Sequence, residues 1–416
     1  FGGLTIGQLA CRTDRPGGVL AYLETYADAR TACGFGWFQV LLYYPSLIAV
    51  IAWVAAAYLQ DLFGMQGGLE TQILTAAVLI LALFGLNILS ARAGGLFQNA
   101  TAVVKLIPLA GLTVLGFLYG DPAALTAAHG AAGGPSLMRA AAAIPAVAFM
   151  FDGWVVATSV CAEIKASKRT LPLALAVAPA CILAVYVLYF IGAGLYLGPD
   201  AMAELGDGYI YAAAAQALGR SGGTVVLAMI TAAVLGTVNG YVIGAARMPY
   251  ALAQAGFCPC PRLFARTDGR TDIPLPSAAF ACACALLMLG LHYLIVRLEL
   301  LPGYDVSEIA VAVSYLLYSI LYIRVIALYR KGEIRGVFHG LVFPLLALAG
   351  AAVVVLGAAQ SRMFWLNLAV CAAVFFGGFL YCGRTRRGGR GGRGGMNEHM
   401  RNLVEAGYTQ GMRPQA

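Results

Sequence analysis

The sequence predicts an all-α integral membrane protein with about 11 membrane helices and a soluble basic tail. Three observations predict it. Of the 416 residues 61% are hydrophobic and only 11% are charged, at a mean hydropathy of +0.80, whereas a globular chain has roughly a quarter of its residues charged. Runs of about 20 apolar residues, each long enough to cross a bilayer at about 1.5 Å per residue, follow one another between short polar loops. Lys and Arg then fall mainly in alternate loops, as the positive-inside bias requires of such a chain.

The elements follow in order. Phe1 to Ala10 makes only about 15 Å of helix, half of a span. With no basic n-region and no small-residue cleavage pattern, this run reads as part of a helix that begins before Phe1; a short interfacial helix is the alternative. CRTDRPGG (Cys11 to Gly18) is a polar, basic turn, and VLAYLETYADAR fits a helix lying along the interface. The first complete span runs from Thr31 to Leu59 and carries Gln39, Tyr43, Tyr44 and Pro45 in its first half. Pro45 should kink it, because proline lacks an N–H and its ring clashes with the preceding turn. Spans follow at Leu69 to Ser90 and at Gly95 to Tyr119, the latter with Lys105 in its interior. A loop rich in Ala, Gly and Pro (Gly120 to Met138) precedes a span interrupted by FMFDGW, within Ala140 to Arg169, and Leu171 to Gly198 spans again. After an acidic loop with Asp200, Glu204 and Asp207 comes a long span from Gly222 to about Ala255. A basic loop with Arg262, Arg266 and Arg270 leads to spans at Ser277 to Leu294, Val306 to Leu328, Phe338 to Ala358 and Phe364 to Tyr381. Residues 1–382 thus read as one membrane domain and residues 383–416 as a tail.

Charge sets the orientation. One set of loops and the tail holds most of the 27 basic residues, including Arg12, Arg30, Lys168, Arg262, Arg330 and seven tail arginines; the opposite set holds Arg139, Arg220, Arg297 and Arg362. The tail is therefore expected in the cytoplasm and the acidic loop outside. GRTRRGGRGGRGGMNEHM resembles an RGG nucleic-acid segment in spacing, but directly after a span its expected partner is anionic membrane lipid, at about 1 kcal/mol per basic residue, and no nucleic acid. It reads as a flexible linker.

The interrupted span carries the chemistry. An unpaired backbone group in hydrocarbon costs several kcal/mol, so a weakened helix at membrane depth is tolerated where it is buried in protein or lines a watery cavity. Broken helices of this kind form substrate sites in secondary transporters. The alternative is a continuous helix with an ordinary glycine and a paired Asp152. In the broken reading, carbonyls near Phe149, Met150 and Phe151 lose their partners one turn on and accept from a substrate ammonium. Phe149 and Phe151 close over the substrate or simply pack, Asp152 caps the second half or adds negative charge, and Gly153 supplies backbone freedom. Lys105 is the other intramembrane signal, since a cation near a span's centre costs about 2.5 to 3.5 kcal/mol even on the lenient insertion scale; the alternative is snorkelling to an interface. Tyr43 and Asn239 are candidates for the pocket wall, or satisfied polar residues at helix contacts. Glu163 with Lys165, Lys168 and Arg169 reads as a charge cluster at the inner surface.

The remaining chemistry is sparse. Ten cysteines are scattered through apolar runs, and Cys258/Cys260 and Cys282/Cys284 lack C-x-x-C spacing; they read as packed thiols, with no metal site and no cofactor. Four histidines lie far apart without a catalytic motif, so an integral membrane enzyme is the disfavoured class.

FMFDGWVVATSVCAEIKASKRTLPLA resembles the sixth helix and following loop of the amino acid-polyamine-organocation (APC) superfamily. GTVNGYVIGAARMPYALAQAGFCP is similar to its eighth helix and RPGGVLAYLETYAD to the end of its second helix and the loop after it. GWFQVLLYYPSLIA resembles the third helix of the L-type amino acid transporters and bacterial serine/threonine exchangers within it. The resemblance reaches nearly to Tyr381. It implies a LeuT-like inverted-repeat transporter fold, present here from part of helix 2 to helix 12 and lacking family helix 1, whose Gly-rich break holds the substrate carboxylate. It implies an amino acid substrate held at Phe149 to Gly153. It also makes Lys105, in NATAVVKLIPLAG, the fifth-helix lysine that stands in for a sodium ion. The function implied is secondary transport at the cell membrane, as sodium-independent exchange of small or neutral amino acids. Proton-coupled amino acid or polyamine transport is the alternative, in which a desolvated lysine exchanges its proton.

Overall fold

The computed structural model describes residues 1–13, 17–65, 67–126, 137–164, 166–267, 274–299, 307–361 and 363–388. In hydrocarbon a backbone must pair its own polar groups, and long apolar runs do so as α-helix. In order these are α1 (Gly2–Ala10), α2 (Val19–Tyr26), α3 (Ala29–Phe38), a π-helical turn (Gln39–Tyr43), α4 (Tyr44–Phe63), α5 (Leu69–Leu89), α6 (Ala91–Tyr119) and α7 (Pro122–Thr126). They continue with α8 (Leu137–Met150), a 3-10 helix (Trp154–Glu163), α9 (Ser167–Leu197), α10 (Pro199–Leu205), a 3-10 turn (Gly206–Gly208), α11 (Tyr209–Gln254) and α12 (Pro261–Phe264). The last are α13 (Leu275–Arg297), α14 (Glu308–Arg330), a second π-helical turn (Phe338–Val342), α15 (Phe343–Ala358) and α16 (Phe364–Gly388).

Among the described residues nine helical stretches are long and apolar enough to cross a membrane. They fall on the uninterrupted spans read from the sequence, and the tenth is the interrupted one, with a shorter apolar stretch at Ala146–Ser159. The protein is an integral membrane protein. Its centre is the stretch Ala29–Phe63, 72% of whose apolar window is buried against 11% for α9. The leucines and valines left exposed on α6 and α9, such as Leu106, Val114, Leu173 and Leu183, therefore form a lipid-facing surface rather than an unsatisfied core.

Three details position the site. The first helix lies inside the bundle rather than along an interface. Thr5, Ile6 and Leu9 are fully buried, and α1 packs on α9, where Gly3 meets the carbonyl of Leu175 and Gly7 lies against Pro172. Small residues likewise let α6 and α9 touch at Gly116 and Gly192, and α3 and α16 at Gly34 and Gly378, the usual means of close approach in membranes. Second, α3 has a firm start. Asp28 accepts from the amides of Arg30 and Thr31 at 2.9 Å each and from the Thr31 hydroxyl at 2.6 Å. Burial pushes its carboxyl up, but the Thr31 hydroxyl, the Thr31 and Arg30 amides and the charge of Arg324 outweigh this and hold it below the usual carboxylate range.

Third, the kink expected at Pro45 takes the form of the π turn. Pro45 sits in the first turn of α4, where it has no N–H to give, and the widened turn Gln39–Tyr43 immediately precedes it. In α11, Gly219 leaves helical geometry at φ 75°, ψ 177°, which separates the loop-side helix from the span beginning near Gly222. The last helix, α16, continues past Tyr381 through the basic CGRTRRG and is described as far as Gly388.

Candidate functional site

The chain is broken where Asp152 and Gly153 interrupt the apolar run. The α8 helix stops at Met150, and two short turns follow: Phe151 donates its amide to the Val147 carbonyl at 3.3 Å and Asp152 to the Phe149 carbonyl at 3.1 Å. The chain then resumes as a tighter 3-10 helix, entered by the Val156 amide on the Gly153 carbonyl at 3.0 Å. The pivot is Gly153, at φ +89°. That is a left-handed conformation in which a Cβ is strained, and a Cβ here would also sit 3.1 Å from the Tyr241 hydroxyl.

The break delivers Asp152 to two tyrosines. Its Oδ2 accepts from the Tyr43 hydroxyl at 2.6 Å and from the Tyr241 hydroxyl at 3.1 Å, and the Gly153 amide also bonds the carboxyl group. Tyr43 ends the π turn and Tyr241 comes from α11, so one carboxylate joins three separate segments. A carboxylate taken out of water needs such partners, because an unpaired buried charge is far more costly than a hydrogen-bonded one. Among the described residues its partners are these hydroxyls and that amide rather than an amide of the following turn, so the geometry is that of a clamp and not of a helix cap. Aromatic contacts surround it: Tyr43 meets Tyr44 edge-on at 5.2 Å and Tyr241 at 6.3 Å.

Beside the clamp lies a narrow gap, with room for about a single water molecule, lined by Gln39, Tyr43, Tyr44, Val155, Thr158, Ser159, Met248 and Tyr318, among others. The walls are mostly apolar, and the hydroxyls of Thr158 and Ser159 turn back to their own helix carbonyls at 2.7 Å. The Nε2 of Gln39 is buried with no hydrogen-bond partner among the described residues.

The other sequence candidates divide. Two of the three carbonyls expected to be free are engaged, Phe149 by the Asp152 amide and Met150 by the Tyr186 hydroxyl at 3.4 Å. Phe149 packs half-buried against the core, whereas Phe151 turns to α9, edge-on to Tyr186 at 5.3 Å. Asn239 is fully buried away from the clamp. Its Oδ1 accepts from Asn87 Nδ2 at 2.7 Å, and its Nδ2 donates to the Gly94 carbonyl at 3.2 Å and to Gln98 Oε1 at 3.0 Å. It is thus a satisfied amide tying α11 to α5 and α6. Lys105 is half-buried on α6, with no hydrogen bond or ion pair to another described residue. It lies one turn beyond Thr101, which packs against Gly236 of α11. Lys168 and Arg169 are in place at the start of α9, the latter exposed, while the side chains of Glu163 and Lys165 lie outside the described residues.

Sequence reasoning missed Tyr241 and gave Gln39 no role. Tyr241 stands two positions after Asn239, hence on the other side of α11, and nothing in its own neighbourhood separates it from an ordinary buried aromatic. Among the described residues no group of three or more His, Cys, Asp or Glu is arranged to hold a metal. His292 packs against Trp53 and His339 against Phe343; His129 and His399 lie outside the described residues.

What this arrangement offers chemically is a carboxylate held by two hydroxyls at a helix break and, in the neighbouring gap, an amide N–H with no partner among the described residues. A family profile described as amino acid permease matches residues 1–379. The chain is 29% identical over 355 residues to the serine/threonine exchanger SteT of Bacillus subtilis, covering 84% of this chain and 78% of that protein. It is also 24% identical over 362 residues to the large neutral amino acids transporter small subunit 2 of Mus musculus and to that of Rattus norvegicus. Those matches take in 83% of this chain and 65% and 64% of the rodent proteins.

Proposed function

The chain belongs to the amino acid permease family, and from that premise we propose that it is a sodium-independent exchanger of small or neutral amino acids, with the substrate held at the break between α8 and the 3-10 helix. The observation that carries the reading is the clamp: Asp152 is fixed by Tyr43 and Tyr241 at the point where the helix is interrupted. The substrate ammonium approaches the negative end of α8, where carbonyls converge and Asp152 adds charge, and an ammonium at a helix C-terminus is favoured by the helix dipole as well. Phe149, Met150, Phe151, Asp152 and Gly153 form this half of the site, and Tyr43 closes it from the π turn after α3. Asn239 serves it indirectly, by holding α11 and hence Tyr241 in place.

Lys105 takes the part of the coupling ion. An unpaired cation inside the membrane is costly, and a tethered ammonium at the α6–α11 contact removes the need for bound sodium. The proposed setting is the cell membrane, with the acidic α10 loop outside and the basic residues 389–416 on the cytoplasmic face near anionic lipid. Exchange is tested by uptake of radiolabelled amino acids into proteoliposomes in sodium-free buffer. Uptake that needs internal amino acid supports exchange, and uptake into empty vesicles without it rejects exchange. A second reading, proton coupling, draws on the same absence of a partner for Lys105 among the described residues. It predicts uptake driven by an inward pH gradient in empty vesicles.

A further inference from the structure

The narrow gap beside the clamp carries a polar group that the fold leaves over. Gln39 opens the π turn and is only 2% exposed. It lines the gap, and its Nε2 has no hydrogen-bond partner among the described residues. A buried donor without a partner costs the full desolvation of that group, and nearly all such groups in folded proteins are satisfied by protein or by ordered water. Thr158 and Ser159, on the 3-10 helix, line the same gap. Each gives its one hydroxyl proton to a carbonyl of its own helix, Val155 and Val156, at 2.7 Å, and each hydroxyl oxygen keeps lone pairs with which to accept. The gap thus offers a donor from the π turn and acceptors from the 3-10 helix. Its walls are tight. An added Cβ at Gly18 would stand 2.3 Å from Thr158 Oγ1, and one at Gly244 would stand 2.8 Å from Val156 and 2.9 Å from Tyr44, so the room that remains is that of about a single water molecule.

We propose that the gap is a binding site for one hydroxyl-type oxygen, which accepts from Gln39 Nε2 and donates to the hydroxyl oxygen of Thr158 or Ser159. Two sources supply that chemistry: a water, and the side-chain hydroxyl of a small amino acid, the second of which rests on the transport reading above. Polar sites with room for a water and two or more partners hold one, whereas genuinely dry cavities are apolar. Other ligands fit less well. An ammonium has nothing with which to accept the amide proton, and a carboxylate is too large for the room. The bound oxygen has a consequence for the clamp. Gln39 stands at the opposite end of the π turn from Tyr43, and Thr158 lies on the 3-10 helix that follows Asp152. The bridge therefore joins a second time the two segments that the Tyr43–Asp152 hydrogen bond joins.

The test uses the purified full-length protein in detergent and begins without ligand. Gln39→Met keeps the length of the side chain and removes the donor. With Nε2 bound to the proposed oxygen, the variant should melt below wild type, and a high-resolution structure of the wild type should show one oxygen within about 2.7 to 3.2 Å of Nε2. A variant that melts at or above wild type, having merely removed an orphaned amide, overturns the proposal, and so does a structure with no oxygen within reach of Nε2. Thermal shifts with L-serine and L-alanine, which differ by one hydroxyl, then separate the sources. A severalfold serine preference that Gln39→Met erases assigns the oxygen to the substrate, and an equal serine-to-alanine ratio in wild type and variant assigns it to water. Absence of any shift with either amino acid in wild type counts against the transport reading, while the ligand-free melting comparison still decides for or against the site.

Discussion

Gly153 is the position where a single methyl group should separate this account from one of an ordinary kinked span. At φ +89° an L-residue pays about 1 to 2 kcal/mol for left-handed geometry. The new Cβ would stand 3.1 Å from the Tyr241 hydroxyl, so Tyr241 must give by a few tenths of an ångström, which weakens its 3.1 Å hydrogen bond to Asp152 by at most the bond's worth of about 1.5 to 3 kcal/mol. If the binding-competent geometry is penalised by about 3 kcal/mol in total, affinity falls on the order of a hundredfold. Gly153→Ala should show this as a weakened amino acid-induced thermal shift together with a lowered basal melting temperature, since the strained turn and the Tyr241 bond are present without ligand. Gly153→Leu should abolish the shift, since the larger side chain also fills the approach to the carbonyls. Adding Tyr241→Phe to Gly153→Ala removes the obstructing hydroxyl and should restore part of the loss relative to Tyr241→Phe alone. Unchanged ligand-induced stabilisation in Gly153→Leu would refute the reasoning.

Other outcomes follow from the same geometry. Tyr43→Phe removes the shorter of the two hydroxyl bonds to Asp152, at 2.6 Å, and should lower exchange severalfold while leaving the fold intact, read as exchange rate per inserted protein. Lys105→Ala should strongly impair transport without affecting membrane insertion; wild-type exchange by the purified variant contradicts the ion-substitute role. Asp28→Ala removes the cap of α3 and should cost about 1 kcal/mol near neutral pH. Because the folded Asp28 carboxyl is held below its usual value, its contribution is complete above the unfolded value of about 3.9 and is lost as pH falls through the folded one. The melting difference between wild type and variant should therefore shrink on acidification below about pH 4 and stay constant above about pH 5.

The membrane spans were legible because each is a local property of its own residues: length and hydropathy suffice when every backbone must pair with itself. The break was legible for the same reason, since Asp152 and Gly153 interrupt an otherwise apolar run and one of them adopts the positive φ that glycine alone takes easily. What joins segments was not. Tyr43 and Tyr241 lie far apart in sequence and are ordinary aromatics until the π turn and α11 pack, and the close crossing of α3 and α16 at Gly34 and Gly378 is one that no spacing reveals. Asn239 shows the converse. A polar residue in a span announces that it has a partner, but only packing tells whether that partner is substrate or, as with Asn87 and Gln98, another helix. For the first helix the structure disfavours the interfacial alternative, since its glycines seat it against α9 inside the bundle.

The central claim is that the interrupted helix holds the amino acid, and a structure of the full-length protein with a transported amino acid bound tests it most directly. The account predicts the substrate ammonium within about 2.7 to 3.2 Å of at least one acceptor among the carbonyls of Phe149 to Phe151 and the Asp152 carboxylate, with Tyr43 beside it. An amino acid bound elsewhere, with α8 running unbroken through Gly153, would contradict it.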